Sequence, residues 1–252
     1  ILNRGNLTRL KNFLNRAAKG ERLTVGFIGG SITQGFAATD PDKCYAARTV
    51  AWLRKVFPNT EFDYVNAGIG ATNSQFGAAR VQEDLLCRLP DLVMVEFSVN
   101  DHCTPHDMET YEGLIRQIYG SRSCPAMVLL HSVYYDTGKS AAYYHAQIGR
   151  HYDLPCISMQ NSIYPAVAAG KLPAEKITAD FLHPNDLGHE FMVAVITNFL
   201  EKVIHDKTEE QQEIFPAPLT ENAYEHCARL QYFNSTPETV SYTHLTLPTI
   251  RL

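Results

Sequence analysis

Two stretches of this chain, "DLVMVEFS" at 91–98 and "AMVLLHSV" at 126–133, are almost unbroken apolar runs too short for a surface helix. Such runs read as strands buried on both faces, the mark of a parallel sheet. What lies between them has helical spacing. Residues 6–19 form a short predicted helix, and Arg22 to Phe27 begin the first strand. "CYAARTVAWLRKVF" puts Tyr45, Thr49, Trp52 and Val56 on one predicted helical face, and "EFDYVNAG" reads as a second strand ending at Asn66. A helix from Ser74 carries Val81, Leu85 and Leu89 until Pro90 stops it. Met108, Tyr111, Ile115 and Ile118 mark the next helix. A helix over 139–150, a short strand at 155–158, a helix near 160–170 and a closing helix from about Asn185 to Ile204 complete the alternation. Strands alternating with helices fold as right-handed βαβ crossovers, so the class is α/β with a parallel sheet covered on both faces.

In that class, function gathers in loops at the carboxyl ends of the strands. Three loops follow strands directly: the one holding Ser31, the one after Asn66 and the one holding Asn100. The first lies in "TVGFIGGSITQG", residues 24–35. A phosphate-cradling P-loop would need a lysine after its last glycine, and none follows Gly35. A dinucleotide fingerprint would need GxGxxG and an acidic end to the second strand; here the glycines are misphased and the strand ends in Asn66. Taken alone, the stretch is equally well a glycine turn with a serine capping the next helix.

Distant residues shift that balance. A serine nucleophile needs a base, an acid to orient the base and donors for the developing negative charge. "TADFLHPNDLGH", residues 178–189, sets Asp180 three residues before His183. A short loop lets such an Asp reach Nδ1 of the His and leaves Nε2 free to face a serine, in the chain order Ser…Asp…His. On its own, Asp-x-x-His is ordinary polarity before a helix. "VEFSVND", residues 95–101, places Asn100 where its side-chain NH₂ can meet an oxyanion, or where it merely makes an Asx-turn. "NAGIGATNS", residues 66–74, can aim backbone N–H groups into the same space, or simply link strand to helix.

These four stretches, in this order, resemble the four sequence blocks of the SGNH hydrolases, also called GDSL esterases and lipases. The likeness runs over roughly residues 20–205. It implies a flavodoxin-like three-layer α/β/α sandwich with a five-stranded parallel sheet. It also implies Ser31 as nucleophile, His183 as base and Asp180 as the residue that orients His183. The implied oxyanion donors are the backbone N–H of Ser31, a backbone N–H from Gly70 or Ala71, and the side chain of Asn100. The chemistry so implied calls for no metal and no organic cofactor. Two positions depart from the family pattern. Gly30 stands where the family usually has Asp, which bears on loop structure more than on mechanism. Ala71 stands where the donor glycine is usual, and an alanine keeps the N–H provided that φ stays negative.

Composition narrows the partners. A formal net charge of −5 gives no electrostatic reason to expect nucleic acid or an anionic membrane, and no apolar run is long enough to span a bilayer. The six cysteines, Cys44, Cys87, Cys103, Cys124, Cys156 and Cys227, form no CxxC pair or zinc spacing, and several, in apolar or helical surroundings, read as small buried hydrophobes. A reducing cytoplasmic setting fits them; secretion stays open because the chain begins at Ile1 and a leader can be missing. Glu96 reads as a buried carboxylate held by loop donors, and His189 as a capping or packing residue. His102 and His106, near Asn100, can line the site without a zinc pattern.

Residues 1–207 are the expected hydrolase domain. The charged, then proline-rich stretch over 208–239 reads as a linker or the start of a truncated second unit. Residues 240–252, with "SYTHLTLPT", resemble a translated sequencing adaptor and are set aside as non-native. No lid-like segment announces a lipid surface. Tyr134, Tyr135, Tyr143 and Tyr144 can offer sugar-stacking faces, although packing is the commoner role. "GGSITQG" and "VEF" before "VND" resemble the bacterial carbohydrate-deacetylating members more than the lipases. The expectation is therefore a serine esterase that removes small acyl groups, acetyl above all, from a saccharide through an acyl-enzyme. The alternatives are a lipase or thioesterase with the same triad and a non-catalytic saccharide-binding module. The expected partner is a small-molecule or saccharide acyl ester, with the oligomeric state left open.

Overall fold

The two apolar runs lie side by side in the middle of a parallel sheet. The computed structural model describes residues 1–229, so the adaptor-like stretch at 240–252 and the end of the 208–239 segment lie outside the described residues. The strands are β1 (Leu23–Gly29), β2 (Phe62–Gly68), β3 (Leu92–Glu96), β4 (Ala126–His131) and β5 (Cys156–Ser158), in the order β2-β1-β3-β4-β5 and all parallel. Every residue of β3 and β4 is buried, as their unbroken apolar sequences require. At one edge β2 is buried only at Phe62 and Ala67, with four accessible residues between them. At the other, β5 is only three residues long, and Asn3 bridges to Cys156 along it.

The helices are α1 (Thr8–Ala18), α2 (Ser31–Gln34), α3 (Tyr45–Val56), α4 (Ser74–Asp84), α5 (Pro105–Tyr119), α6 (Ala142–His151), α7 (Tyr164–Ala168) and α8 (Asp186–His205). Buried residues of α1, α3 and α8 form one core against the sheet, and those of α4, α5 and α6 form the other. This is the three-layer α/β/α sandwich of flavodoxin type. In its strand order the chain reverses direction across the sheet between β1 and β3, the point where such folds open a crevice for ligands. Local sequence sets several boundaries. Asn73 caps α4 by accepting from the Phe76 N–H, and Thr104 and Asp107 form a reciprocal capping box at α5, with Pro105 in its first turn.

Four expectations need correction. The buried stripe of α3 is Tyr45, Ala46, Thr49, Val50 and Leu53. Trp52 lies at its edge, and Val56, the last residue of the helix, is 39% exposed. The helix from Ser74 ends at Asp84 and gives way to a 3₁₀ turn over Leu86–Arg88. Leu89, the residue before Pro90, leaves the helical conformation that the proline disfavours and is left-handed (φ 50°) and half exposed. Strand β2 runs on to Gly68, because Ala67 and Gly68 keep register with Ile28 and Gly29 of β1. Of the six cysteines only Cys44 and Cys156 are buried. The rest sit where the backbone leaves the core: Cys87 in the 3₁₀ turn, Cys103 and Cys124 in loops with left-handed φ, and Cys227 beyond α8.

Residues 206–229 carry no helix or strand and lie across α1 and α5. Arg4 and Lys11 pair with Asp206 and Glu210, and Arg9 pairs with Glu213. Phe215 stacks on Tyr119 at 4.8 Å, with the Arg116 guanidinium 4.4 Å from its ring centre. The buried carboxylate of Glu112 accepts from the Tyr152 hydroxyl, from the Leu219 and Thr220 N–H groups and from the Thr220 hydroxyl. Burial opposes its ionisation, but these donors outweigh burial and hold the carboxyl below its ordinary value. Glu112→Ala should therefore lower unfolding free energy by about 1–3 kcal/mol, read in urea, and open residues 206–229 to limited proteolysis. Unchanged stability and cleavage would show that the ion pairs alone hold the segment.

Candidate active site

Ser31 opens α2, a single helical turn immediately after β1, with Gly30 preceding it and Gly35 closing the turn in left-handed conformation (φ 94°). The serine is nearly buried, at 9% exposure. Its Oγ lies 2.8 Å from Nε2 of His183, a residue 152 positions further along the chain. Nδ1 of His183 lies 2.7 Å from Oδ2 of Asp180. The other carboxylate oxygen, Oδ1, accepts the N–H of His183 at 2.7 Å and of Leu182 at 3.2 Å. Asp180 is thus held by the loop that it helps to shape. Partial burial works against its charge, but the backbone N–H and ring of His183 and the N–H of Leu182 win, so its carboxyl sits below its ordinary value.

The same loop is tied down on both sides. Ala179 donates to the His183 carbonyl, and Phe181, left-handed at φ 65°, gives its carbonyl to the Tyr135 N–H at 2.7 Å. Downstream, Asn185 caps α8 by accepting from Leu187 and Gly188. Asp186 accepts from the N–H and hydroxyl of Thr39 and from Lys43 Nζ, joining the helix start to the loop after α2. The ring of Phe36, on that loop and largely exposed, meets the His183 ring edge to face at 4.6 Å.

Asn100, just beyond β3, packs its side chain against Gly30. A Cβ at Gly30 would sit 2.3 Å from Asn100 Oδ1, so the glycine makes room for the asparagine. Among the described residues no hydrogen bond occupies the Asn100 amide, and its buried Oδ1 has no partner there. In the loop after β2, the Gly70 N–H is engaged by Gln34 Oε1 at 2.9 Å. Contrary to the expectation of a negative φ, Ala71 is left-handed (φ 57°), a conformation that an alanine adopts only at a cost of about 1–2 kcal/mol; the N–H itself is kept whatever the sign of φ. Its N–H makes no hydrogen bond among the described residues.

Asn100 and His102 line a cleft of about 780 Å³ together with Tyr134, Asp136, Lys139 and Gln160. The same two residues also border a shallower groove with Ala71, Asn73 and Phe76. Of the four tyrosines singled out, Tyr134 lines the cleft, Tyr135 is buried, and Tyr143 and Tyr144 pack edge to face on α6. His106 turns aside to Gln75. His189 is buried against Tyr45, whose N–H it accepts on Nδ1, and burial pushes it down to about 4. Glu96 is buried, accepts from Ser98 N–H and Oγ, and is pushed up by burial. Among the described residues, no group of three His, Cys, Asp or Glu side chains could hold a metal ion, and no helix is long and apolar enough to cross a membrane. Sequence reasoning missed Gln34 and Phe36. Both lie in or beside the "GGSITQG" block, but only the folded turn reveals what they touch.

Residues 27–191 match the model of a family described as GDSL-like lipase/acylhydrolase. Among solved structures, a two-domain esterase active on acetylated mannans is similar at 52% identity and a TM-score of 0.91 over 92% of this chain. The match spans 63% of that esterase, so the chain covers just under two thirds of its relative's length. A second structure of such an esterase, co-crystallised with mannopentaose, gives 52% identity and a TM-score of 0.88 over 92% of this chain and 62% of that one. A variant of an acetyl xylan esterase from Geobacillus stearothermophilus shares the fold, with 20% identity and a TM-score of 0.59 over 71% of this chain and 94% of its own. No curated protein matches the chain.

Two outcomes test this geometry. Because the Asp180 carboxyl is held below its ordinary value, its contribution to stability is present above the unfolded value of 3.8 and lost as pH falls through the lowered one. Wild type should exceed Asp180→Ala in denaturant midpoint at neutral pH, and the gap should close below pH about 4; a pH-independent gap would mean that the carboxylate is not what holds the loop. Gly30 has negative φ, so an alanine there strains no backbone and acts only through its Cβ. Gly30→Ala should fold and displace the Asn100 side chain in a crystal structure; an unmoved Asn100 would contradict the packing described.

Proposed function

This chain belongs to the GDSL-like lipase/acylhydrolase family, and from that premise we propose that it is a serine esterase that removes acetyl groups from a saccharide. The observation that carries the proposal is the unbroken line from Ser31 Oγ through the His183 imidazole to the Asp180 carboxylate, with contacts of 2.8 and 2.7 Å.

In the proposed reaction, Ser31 Oγ attacks the ester carbonyl carbon and its proton passes to His183 Nε2. Asp180 keeps Nδ1–H facing itself and stabilises the imidazolium without taking the proton. The oxyanion is met by the Ser31 N–H, the Asn100 amide and a backbone N–H of the second loop. Ala71 is the better donor there, since the Gly70 N–H is already given to Gln34. Collapse of the intermediate expels the sugar oxygen, which takes its proton from His183 Nε2 and leaves acetyl-Ser31. Water then gives a proton to His183 and attacks the acyl carbon. Acetate departs and Ser31 recovers its proton. Every step is acid–base and nucleophilic chemistry of these side chains.

The saccharide reading is supported by the cleft beside Asn100, whose Asp136, Lys139 and Gln160 suit hydroxyl groups better than an acyl chain. It is supported too by the 52% identity to an esterase active on acetylated mannans. The same reading takes residues 1–207 as the hydrolase domain and 208–239 as a linker or the start of a second unit.

Initial rates on p-nitrophenyl acetate, a long-chain p-nitrophenyl ester and acetylated manno-oligosaccharides test the proposal. Wild type should prefer acetyl esters and release acetate from the oligosaccharides. Ser31→Ala should abolish turnover, and Asn100→Ala should lower kcat by about 10²–10³. Preference for the long chain would make the protein a lipase or thioesterase. A folded wild type no faster than Ser31→Ala would leave a binding module.

A further inference from the structure

We infer that Asp101 is a positioning residue that locks the Asn100 loop to the Ala71 loop, so that the two oxyanion-facing segments keep one relative placement. The inference rests on the serine-esterase reading and adds to it a residue whose side chain is turned away from the cleft.

The side chain of Asp101 is fully buried. Its Oδ1 accepts the N–H of Ser74 at 2.9 Å. Ser74 is the first residue of α4 and lies three positions after Ala71. Its Oδ2 lies 2.8 Å from Nε2 of His145 on α6, which is also fully buried. The His145 ring is in turn stacked flat on Tyr111 of α5, with centroids 3.6 Å apart and planes 3° from parallel. One carboxylate therefore joins the loop after β3, the helix start that follows the loop after β2, and a histidine held between α5 and α6.

The backbone leaves little slack between this anchor and Asn100. The N–H groups of Asn100 and Asp101 both donate to the Phe97 carbonyl at 3.0 Å, which makes residues 97–101 a tight turn. Ser74 Oγ adds a 2.6 Å hydrogen bond to Thr110 of α5. A buried carboxylate that slips from its donors is strongly penalised, since no water replaces them. Displacing either loop would pull Asp101 from Ser74 or from His145. The anchor thus resists the small displacements that would spoil donor geometry at the oxyanion, where a shift of about 1 Å can cost about 10²-fold in rate.

The test is a double-mutant cycle on p-nitrophenyl acetate with wild type, Asn100→Ala, Asp101→Ala and the double variant. Asp101→Ala should lower kcat by about 10²-fold and leave KM within about twofold. In the Asn100→Ala background the same change should cost less than about tenfold, because one of the two donors that it positions is already absent. Asp101→Asn, which keeps an acceptor for Ser74 and offers its amide to His145, should recover most of the rate. If Asp101→Ala does not fold, His145→Phe takes its place: the ring still stacks on Tyr111 while the partner of Oδ2 is lost, and its kcat loss should again shrink in Asn100→Ala. Losses that multiply independently, or an Asp101→Asn as slow as the alanine variant, overturn the inference. A wild type without Ser31-dependent turnover overturns the esterase reading and this one with it; Ser31-dependent turnover with independent losses overturns this one alone.

Discussion

Strand β1 pairs in parallel with β2 on one side and β3 on the other, and Gly29 at its end stands opposite both Gly68 and Glu96. Parallel ladders bring all strands out of the sheet at the same edge, so this register delivers the loops after β1, β2 and β3 to one height. Ser31, the Ala71 segment and Asn100 owe their proximity to it. A slip of one residue in either pairing would reverse which face each strand side chain meets, and the buried apolar residues of β1 and β3 forbid it.

What the register cannot do is bring in the proposed base. His183 arrives from the far end of the domain, on a loop between a 3₁₀ turn at Ala174–Lys176 and α8. Its position depends on α8 packing against α1 and α3 in one core. It depends equally on small polar ties: Asn185 capping the helix, Asp186 holding Thr39 and Lys43, and the Phe181 carbonyl held by Tyr135. Apolar packing sets the place of the helix to within the tolerance of side-chain contacts. The hydrogen bonds then set the orientation of the imidazole, which is what proton transfer requires.

The layer beneath the site is unusually polar for a core. Glu96, Asp101 and His145 are all buried and hydrogen-bonded, whereas His131 beside them is buried with neither ring nitrogen bonded among the described residues, and burial and the neighbouring His145 push it down to about 3. Groups of this kind are costly unless they are paired, and a paired group tolerates little movement. The apolar faces of the sheet supply stability, whereas this layer restricts the loops above it to one arrangement. Outside the site, a different polar residue, Glu112, does the comparable task of fastening residues 206–229 to α5.

Much of this was legible in the chain itself. Strand runs such as "DLVMVEFS" need no partner to be recognised, because burial on both faces removes the polar alternation of an exposed strand. Asp180 and His183, three residues apart, meet through a local loop whose geometry their spacing already constrains. Ser31 and Asn100 were readable as loop residues following strands. Tertiary structure alone decided the rest. Trp52 sits at the edge of its helix face because the packing of α3 against the sheet and α8, not its own periodicity, sets which stripe is covered. The close contact of Gly30 with Asn100 exists only in the folded chain, as does the hydrogen bond by which Gln34 takes up the Gly70 N–H. Local pattern determined what each segment would become, since propensity and hydrophobic period act between near neighbours. Which groups face one another across tens of residues was left to the packing of the sheet and its two helical layers, because contacts of that range exist only after the chain has closed upon itself.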